Sequence, residues 1–194
     1  MAKDTPPRWD RKMQQRLARG EAAALGELYD RFASLVHNTA HLVLENQEAA
    51  DQVTREVFGY VWENPDAFDP RQEGSMRSWI ARLTRRQAVH RLRQTGTREI
   101  AERGEGSTEE LEQRVRRAAV AARADYIVTS MPAPLRKALE LAYFERRDYR
   151  QTAARLGVTE DEARRRLRLG LQLLSTAHTR PLDGPPPSAH GRSR

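Results

Sequence analysis

The segment Gly157-Val158-Thr159-Glu160-Asp161-Glu162-Ala163-Arg164-Arg165-Arg166-Leu167-Arg168 constrains the fold of this chain more than any other. A glycine free to take positive φ, followed by a good N-cap and then apolar residues at helical spacing, spells a tight turn into a helix. Thr159 suits the N-cap, and Glu162 stands at N3, which completes a capping-box pattern. Ala163, Leu167, Leu171 and Leu174 recur at helical spacing and predict a buried stripe. Arg164, Arg165 and Arg168 lie off it. A helix with one apolar seam and an arginine-rich outer face suits the DNA major groove, as the second helix of a helix-turn-helix. It also suits a solvated basic helix on any helical bundle, and the segment alone leaves both readings open.

The remaining composition narrows the choice. The chain has 194 residues, enough for one domain or two small ones, and at 38% hydrophobic it can build only modest cores. Its formal net charge is +7 and its pI near 10.3, which favours a polyanionic partner. Arginine supplies most of that charge, and guanidinium grips phosphates and guanine edges bidentately, so nucleic acid fits better than a membrane surface. The absence of cysteine removes disulfide frameworks and thiolate metal sites. No apolar run is long enough to span a bilayer, and Met1–Asp10 lacks a signal-peptide core. The expectation is a cytoplasmic protein with no membrane insertion.

Helix signals dominate, and strand signals are nearly absent. Leu25, Leu28, Tyr29, Phe32, Leu35 and Val36 follow Gly20 on one face of a long amphipathic helix. Gln47 to Trp62 gives a second, with Val53, Val57, Phe58 and Val61 inward, and Asn64-Pro65 ends it. After a loop from Pro65 to Gly74, Ser75 can cap a third. Its apolar face is Met76, Trp79, Ile80, Leu83, Ala88 and Leu92, and its other face carries Arg82, Arg85, Arg86, Arg91 and Arg93. Thr95 to Thr108 has three glycines, several Glu and no apolar period, so it reads as a flexible, partly acidic linker. A helical pattern resumes near Leu111, Met131-Pro132-Ala133-Pro134 breaks it, and a compact helical set runs from Leu135 to about Ala177. The Pro-, Gly- and Ser-rich end reads as disordered. The expected architecture is all-α: a domain over residues 1–94, a linker over 95–110, a helix-turn-helix domain over 111–178 and a tail over 179–194.

The order of these pieces resembles the extracytoplasmic-function sigma factors, the minimal two-domain class of bacterial transcription initiation factor in the sigma-70 family. Leu28-Tyr29-Asp30-Arg31-Phe32-Ala33 is similar to that family's opening helix. Glu56-Val57-Phe58 and Val61-Trp62 resemble the end of its polymerase-docking helix. Phe68-Asp69-Pro70-Arg71, Met76-Arg77-Ser78-Trp79-Ile80 and Ala88-Val89-His90-Arg91-Leu92-Arg93 resemble its promoter-opening segment. The stretch from Met131 to Glu145, then Tyr149-Arg150 and Ala153 to Val158, matches the second domain. The likeness runs from about Arg16 to Leu174; each fragment is a weak motif, and their joint order is strong.

The resemblance implies a non-catalytic factor that binds core RNA polymerase and promoter DNA, with an anti-sigma partner as a further expectation. It assigns polymerase docking to Gln52, Arg55 and Glu56, and the promoter-opening loop to Phe68, Asp69 and Arg71. DNA contacts would come from Arg82, Arg85, Arg86 and His90 in the first domain, and from Arg150, Thr159, Arg164, Arg165 and Arg168 in the second. Trp79 falls on the apolar stripe and is expected in the core, whereas Phe68 is divided between core and base-stacking roles. The chain departs from the family at Gln52 and Arg55, where Asp and Gln are usual, and at Arg86 and His90, where Asn and Asp are usual. It also has Gln151-Thr152 where Glu-Ile is common. The altered docking helix keeps two rivals in view: a sigma-like DNA-binding regulator that docks polymerase weakly, and a sigma-like protein-interaction module.

Catalytic and metal chemistry find little support. His37 and His41 stand at i and i+4 without further ligands, Asp66, Asp69 and Glu73 lack calcium-loop spacing, and no phosphate-binding glycine loop or nucleophile–base pair is present. No cofactor is expected.

Overall fold

The computed structural model describes residues 8–70, 75–104, 106–143 and 145–179. Among these, the chain forms eight α-helices and one 3₁₀ turn, in two compact units that divide within the fifth helix after Ala119.

The first unit begins with α1 (Arg8–Ala18), which the sequence reading missed. Only Met13 and Leu17 give it an apolar stripe, and both are buried. Its third inward residue is the acid Asp10, 5% exposed, whose Oδ2 accepts from the Met76 backbone N–H at 2.9 Å. That N–H opens α4 (Met76–Arg103), where a helix leaves its first donors without partners and concentrates positive potential. Ser75 caps the same end by accepting from Ser78 N at 3.1 Å, as its sequence position predicts.

Helices α2 (Ala22–Leu44), α3 (Gln47–Glu63) and α4 pack together as the body of the unit. Leu28, Phe32 and Val36 of α2 are buried as expected, with Ala24, Ala40 and Val43 extending the stripe. Tyr29 is 49% exposed rather than core; its ring lies over Phe58 with centroids 4.8 Å apart. Val53, Val57, Phe58 and Val61 of α3 are all buried. Asn46 caps α3 by accepting from Ala49 N at 2.8 Å. Met76, Trp79, Ile80, Leu83, Ala88 and Leu92 of α4 are buried, matching the periodicity.

The segment expected to be an irregular linker is mostly helical. Residues 95–103 continue α4, Gly104 ends it at φ 66°, and α5 (Thr108–Ser130) follows. Ser107 and Glu110 form a reciprocal cap, with Ser107 Oγ accepting from Glu110 N and Glu110 Oε2 accepting from Ser107 N. The missing period has a physical reason. The apolar contact here is Leu111 against Gly96, and a glycine carries no hydrophobic signal; a Cβ at Gly96 would meet Leu111 Cδ1. Arg93 grips Glu112 bidentately at 3.0 and 3.2 Å, and Val115 and Ala119 complete the buried side.

The second unit comprises the rest of α5, α6 (Ala133–Tyr143), α7 (Tyr149–Leu156) and α8 (Glu160–Thr179). Met131 and Pro132 make the break that the sequence predicts, and Pro134 sits in the first turn of α6, where its missing N–H costs nothing. Ala138, Leu139 and Leu141 face inward from α6. Leu139 lies under Gly170, where an added Cβ would come within 2.8 Å of Leu139 Cδ1. The inward stripe of α8 is therefore Ala163, Leu167, Gly170, Leu174 and Ala177, with Leu171 43% exposed instead of buried. Of the expected disordered tail, residues 179–194, Thr179 is the last residue of α8 and 180–194 lie outside the described residues.

Asp10 ties α1 to α4 across 66 positions of chain. Asp10→Ala should lower the unfolding free energy by about 1–3 kcal/mol, because it leaves a buried donor unsatisfied. Asp10→Asn keeps an acceptor but loses the charge at the helix terminus, so it should cost less. Urea unfolding of the three proteins should give midpoints in the order parent, Asn, Ala; coincident midpoints would show that this cap contributes nothing.

Candidate nucleic-acid interface

In the second unit, α7 and α8 form a helix-turn-helix. Asp148 accepts from Gln151 N at 2.8 Å, and Gln151 Oε1 accepts from Asp148 N at 3.2 Å, a complete capping box. This gives Gln151 its structural role, because Gln serves at N3 as Glu does. Gly157 takes φ 64°, and its N–H reaches Ala153 O and Ala154 O, which closes α7 and turns the chain. Thr159 Oγ1 then accepts from Glu162 N at 3.3 Å, as expected of the N-cap.

Glu162 does not return the capping bond. Its carboxylate instead takes Arg165 Nε at 2.8 Å and Arg166 Nε at 2.7 Å. These bonds, from Arg166 first and then Arg165, hold the Glu162 carboxyl below its usual range. The neighbouring acids act alike: Arg164 lies 3.7 Å from Asp161, and Arg150 lies 3.7 Å from Glu160. The Arg164 guanidinium stacks over the Tyr149 ring at 4.0 Å. Arg164, then Arg150, beside the Tyr149 hydroxyl holds that phenol below its ordinary value. Arg168 is exposed and has no ion pair or hydrogen bond among the described residues. The outer face of α8 thus combines Arg168 with Arg164, paired at 3.7 Å with the exposed Asp161, and Arg165, hydrogen-bonded to the half-buried Glu162. An exposed pair such as Arg164 with Asp161 is worth little.

In the first unit the predicted basic face of α4 is less uniform. Arg85 is 9% exposed and counts among the buried residues of α4, at odds with the DNA contact expected there. Arg82 and Arg86 are half-buried, and His90 is exposed, with its ring nitrogen 2.9 Å from Gln94 Nε2. Arg91 turns to α3: its Nη1 donates to Gln52 Oε1 at 2.6 Å and its Nη2 to Glu56 Oε1 at 2.7 Å. Gln52, Arg55 and Glu56 share the exposed side of α3, opposite its buried valines.

Phe68 is 2% exposed and lies against Trp79, ring centroids 5.4 Å apart. Both are core residues, so the base-stacking role weighed for Phe68 does not fit. The 3₁₀ turn at Pro65–Ala67 draws the start of the loop inward and tucks this ring away. Asp69 is half-buried beside it, and Arg71 and Glu73 lie outside the described residues. His37 and His41 stack 6.2 Å apart, with His37 Nε2 3.2 Å from Asp51 Oδ1; among the described residues no three potential ligands cluster for a metal. No helix among them is long and apolar enough to cross a membrane.

Comparison with known proteins fits both units. Residues 28–98 match the family model for sigma-70 region 2, and residues 122–174 match that for sigma-70 region 4. The chain is 26% identical over 174 residues to the ECF RNA polymerase sigma factor SigK of Mycobacterium sp. (strain KMS), covering 81% of this chain and 84% of the relative. It is 26% identical over 166 residues to the protein of that name from Mycolicibacterium vanbaalenii, covering 82% and 84%. Among solved structures it is similar to CnrH, determined in complex with the cytosolic domain of CnrY, at 20% identity and a TM-score of 0.37, covering 86% of this chain and 95% of that one. With region 2 built on α2 to α4 and region 4 built on the helix-turn-helix, in that order along one polypeptide, the chain belongs to the sigma-70 family of transcription initiation factors.

Proposed function

We propose that this chain is an alternative sigma factor of the extracytoplasmic-function class, which binds core RNA polymerase through α3 and directs it to a promoter read by α8. The observation that carries the reading is the succession of region 2 and region 4 in one chain, each with an arginine-bearing helix set on a closed apolar core. The relatives' description as ECF RNA polymerase sigma factors supports the class. Action is by binding: α4 supplies Arg82, Arg86 and His90 toward the opened strand, while α8 supplies Arg164, Arg165 and Arg168 toward the duplex. Arg150, in the first turn of α7, and Thr159, at the N-cap of α8, supply the phosphate contacts. The work is done in the cytoplasm. Run-off transcription from genomic promoter fragments with core polymerase tests the whole reading, and no transcript above core polymerase alone would sink it.

Arg168 is the strongest candidate for contact because no ion pair or hydrogen bond among the described residues engages it. Arg168→Ala should reduce holoenzyme affinity for a selected promoter duplex more than Arg165→Ala. The loss should be about 1–3 kcal/mol against one base if it reads guanine, or a salt slope smaller by about one unit if it holds a phosphate. Glu162→Gln keeps the N3 position but releases Arg165 and Arg166, so it should tighten binding and steepen the salt slope by up to about one unit for each arginine freed. Titrations across salt concentration check both, and parent-like curves for Arg168→Ala would remove α8 as the reading head.

On α3, Glu56→Arg reverses an exposed charge without touching Val53, Val57 or Phe58. It should weaken core-polymerase binding, measured without DNA, and leave the thermal midpoint of the free chain near the parent's. Unchanged affinity would favour the weakly docking regulator.

A further inference from the structure

We infer that Arg91 is a positioning residue for the docking face of α3: reaching across from α4, it fixes the side chains of Gln52 and Glu56 that meet core polymerase. The inference rests on the docking reading above. At about 100° per residue Arg91 lies nearly opposite Arg82 and Arg93 on α4, and its guanidinium is directed to α3. Two different nitrogens of one planar fork hold two acceptors one helical turn apart, Gln52 Oε1 at 2.6 Å and Glu56 Oε1 at 2.7 Å.

The consequence is a defined order of donors and acceptors on α3. Because the Gln52 oxygen faces Arg91, its amide NH2 is left as the outward group. Glu56 keeps its second oxygen, Oε2, uncommitted among the described residues. Arg55, exposed between them in sequence, makes no ion pair or hydrogen bond among the described residues. The edge therefore offers donors at Gln52 and Arg55 and an acceptor at Glu56. A partner surface that fits it carries acidic groups opposite the first two and a basic group opposite the third. Without Arg91, two long and rotamer-rich side chains must be ordered when the partner binds, a cost now met in the free protein.

The test measures affinity of the full chain for core polymerase without DNA, so loss of any DNA contact by Arg91 does not enter. Arg91→Ala should weaken binding about three- to tenfold, the range expected for ordering side chains at an interface. Its thermal midpoint should stay near the parent's, because a half-exposed pair adds little stability. Arg91→Lys, a point charge that can pair with Glu56 but cannot fork, should fall between parent and Arg91→Ala. The exchange Glu56→Arg with Arg91→Glu re-forms an ion pair but not the acceptor on α3, so it should bind as weakly as Glu56→Arg alone. Tighter binding by Arg91→Ala would mean that Arg91 masks the face, and overturns the inference. Unchanged binding by Arg91→Ala, with Glu56→Arg weakened, overturns the inference and leaves the docking reading intact. Unchanged binding by both removes the docking reading and the inference with it. Should Arg91→Ala fail to fold, Arg91→Lys and the exposed variant Gln52→Ala carry the same comparison, and parent-like affinity in both overturns the inference.

Discussion

Both units depend on helices that approach one another over narrow strips of small side chains. Ala24, Ala40, Ala50 and Ala88 are fully buried in the first unit, and Ala138 and Ala163 in the second. At two points even a methyl group is too much: Gly96 receives Leu111, and Gly170 receives Leu139. Close approach lets each helix close its core with a thin stripe, which is what a chain of 38% hydrophobic and 31% charged residues can supply. The rest of each helix circumference is then free for charge. A wide apolar stripe on α8 would have consumed the positions that now carry Arg164, Arg165 and Arg168.

That freedom creates an electrostatic problem. Arginines spaced one turn apart repel, and a face of bare guanidiniums would strain a small unit and bind any polyanion. The chain answers with local acids. Glu160, Asp161 and Glu162 open α8, where the helix dipole favours them, and each lies near an arginine: Arg150, Arg164, and Arg165 with Arg166. The same acids that stabilise the free helix compete with phosphate, so affinity is traded for helix stability and for discrimination against weak anions. On α4 the corresponding device is Arg91 on Glu56 and Gln52, and on the α4–α5 pair it is Arg93 on Glu112.

What was legible in the sequence follows from which forces leave a periodic trace. Stripes of large apolar residues do, so α2, α3 and the first part of α4 are readable with most of their buried positions, Trp79 included and Tyr29 excepted. Positive-φ turns with caps do as well, hence the helix-turn-helix at Gly157 and Thr159. Helix α1 was not readable, because one of its three inward residues is a carboxylate whose partner, the Met76 N–H, is distant in sequence. Nor was the helical run through 95–103, whose contact residue is a glycine. The stripe of α8 passes through Gly170 and not the more hydrophobic Leu171 for the same reason: hydrophobicity marks what a residue covers, and close packing can demand a residue that covers nothing. At the candidate site, the residue types on α8 were legible but their pairing was not. Glu162 fits a reciprocal capping box by spacing, and only the geometry reveals that two arginines take its carboxylate first.

Arg85 and Arg91 show the limit of reading charge from composition along a helix. At about 100° per residue Arg82, Arg86 and Arg93 fall within about 40° of one another, whereas Arg85 stands about 60° to one side of Arg82 and Arg91 lies nearly opposite it. Helix α4 has both α2 and α3 against it, and Arg91 is drawn into contact with Gln52 and Glu56 of α3. A long aliphatic stem permits this at low cost, since the methylenes cover apolar surface while the guanidinium finds an acceptor. The arginine count of α4 is therefore not a count of guanidiniums left for a partner, since Arg91 is already engaged.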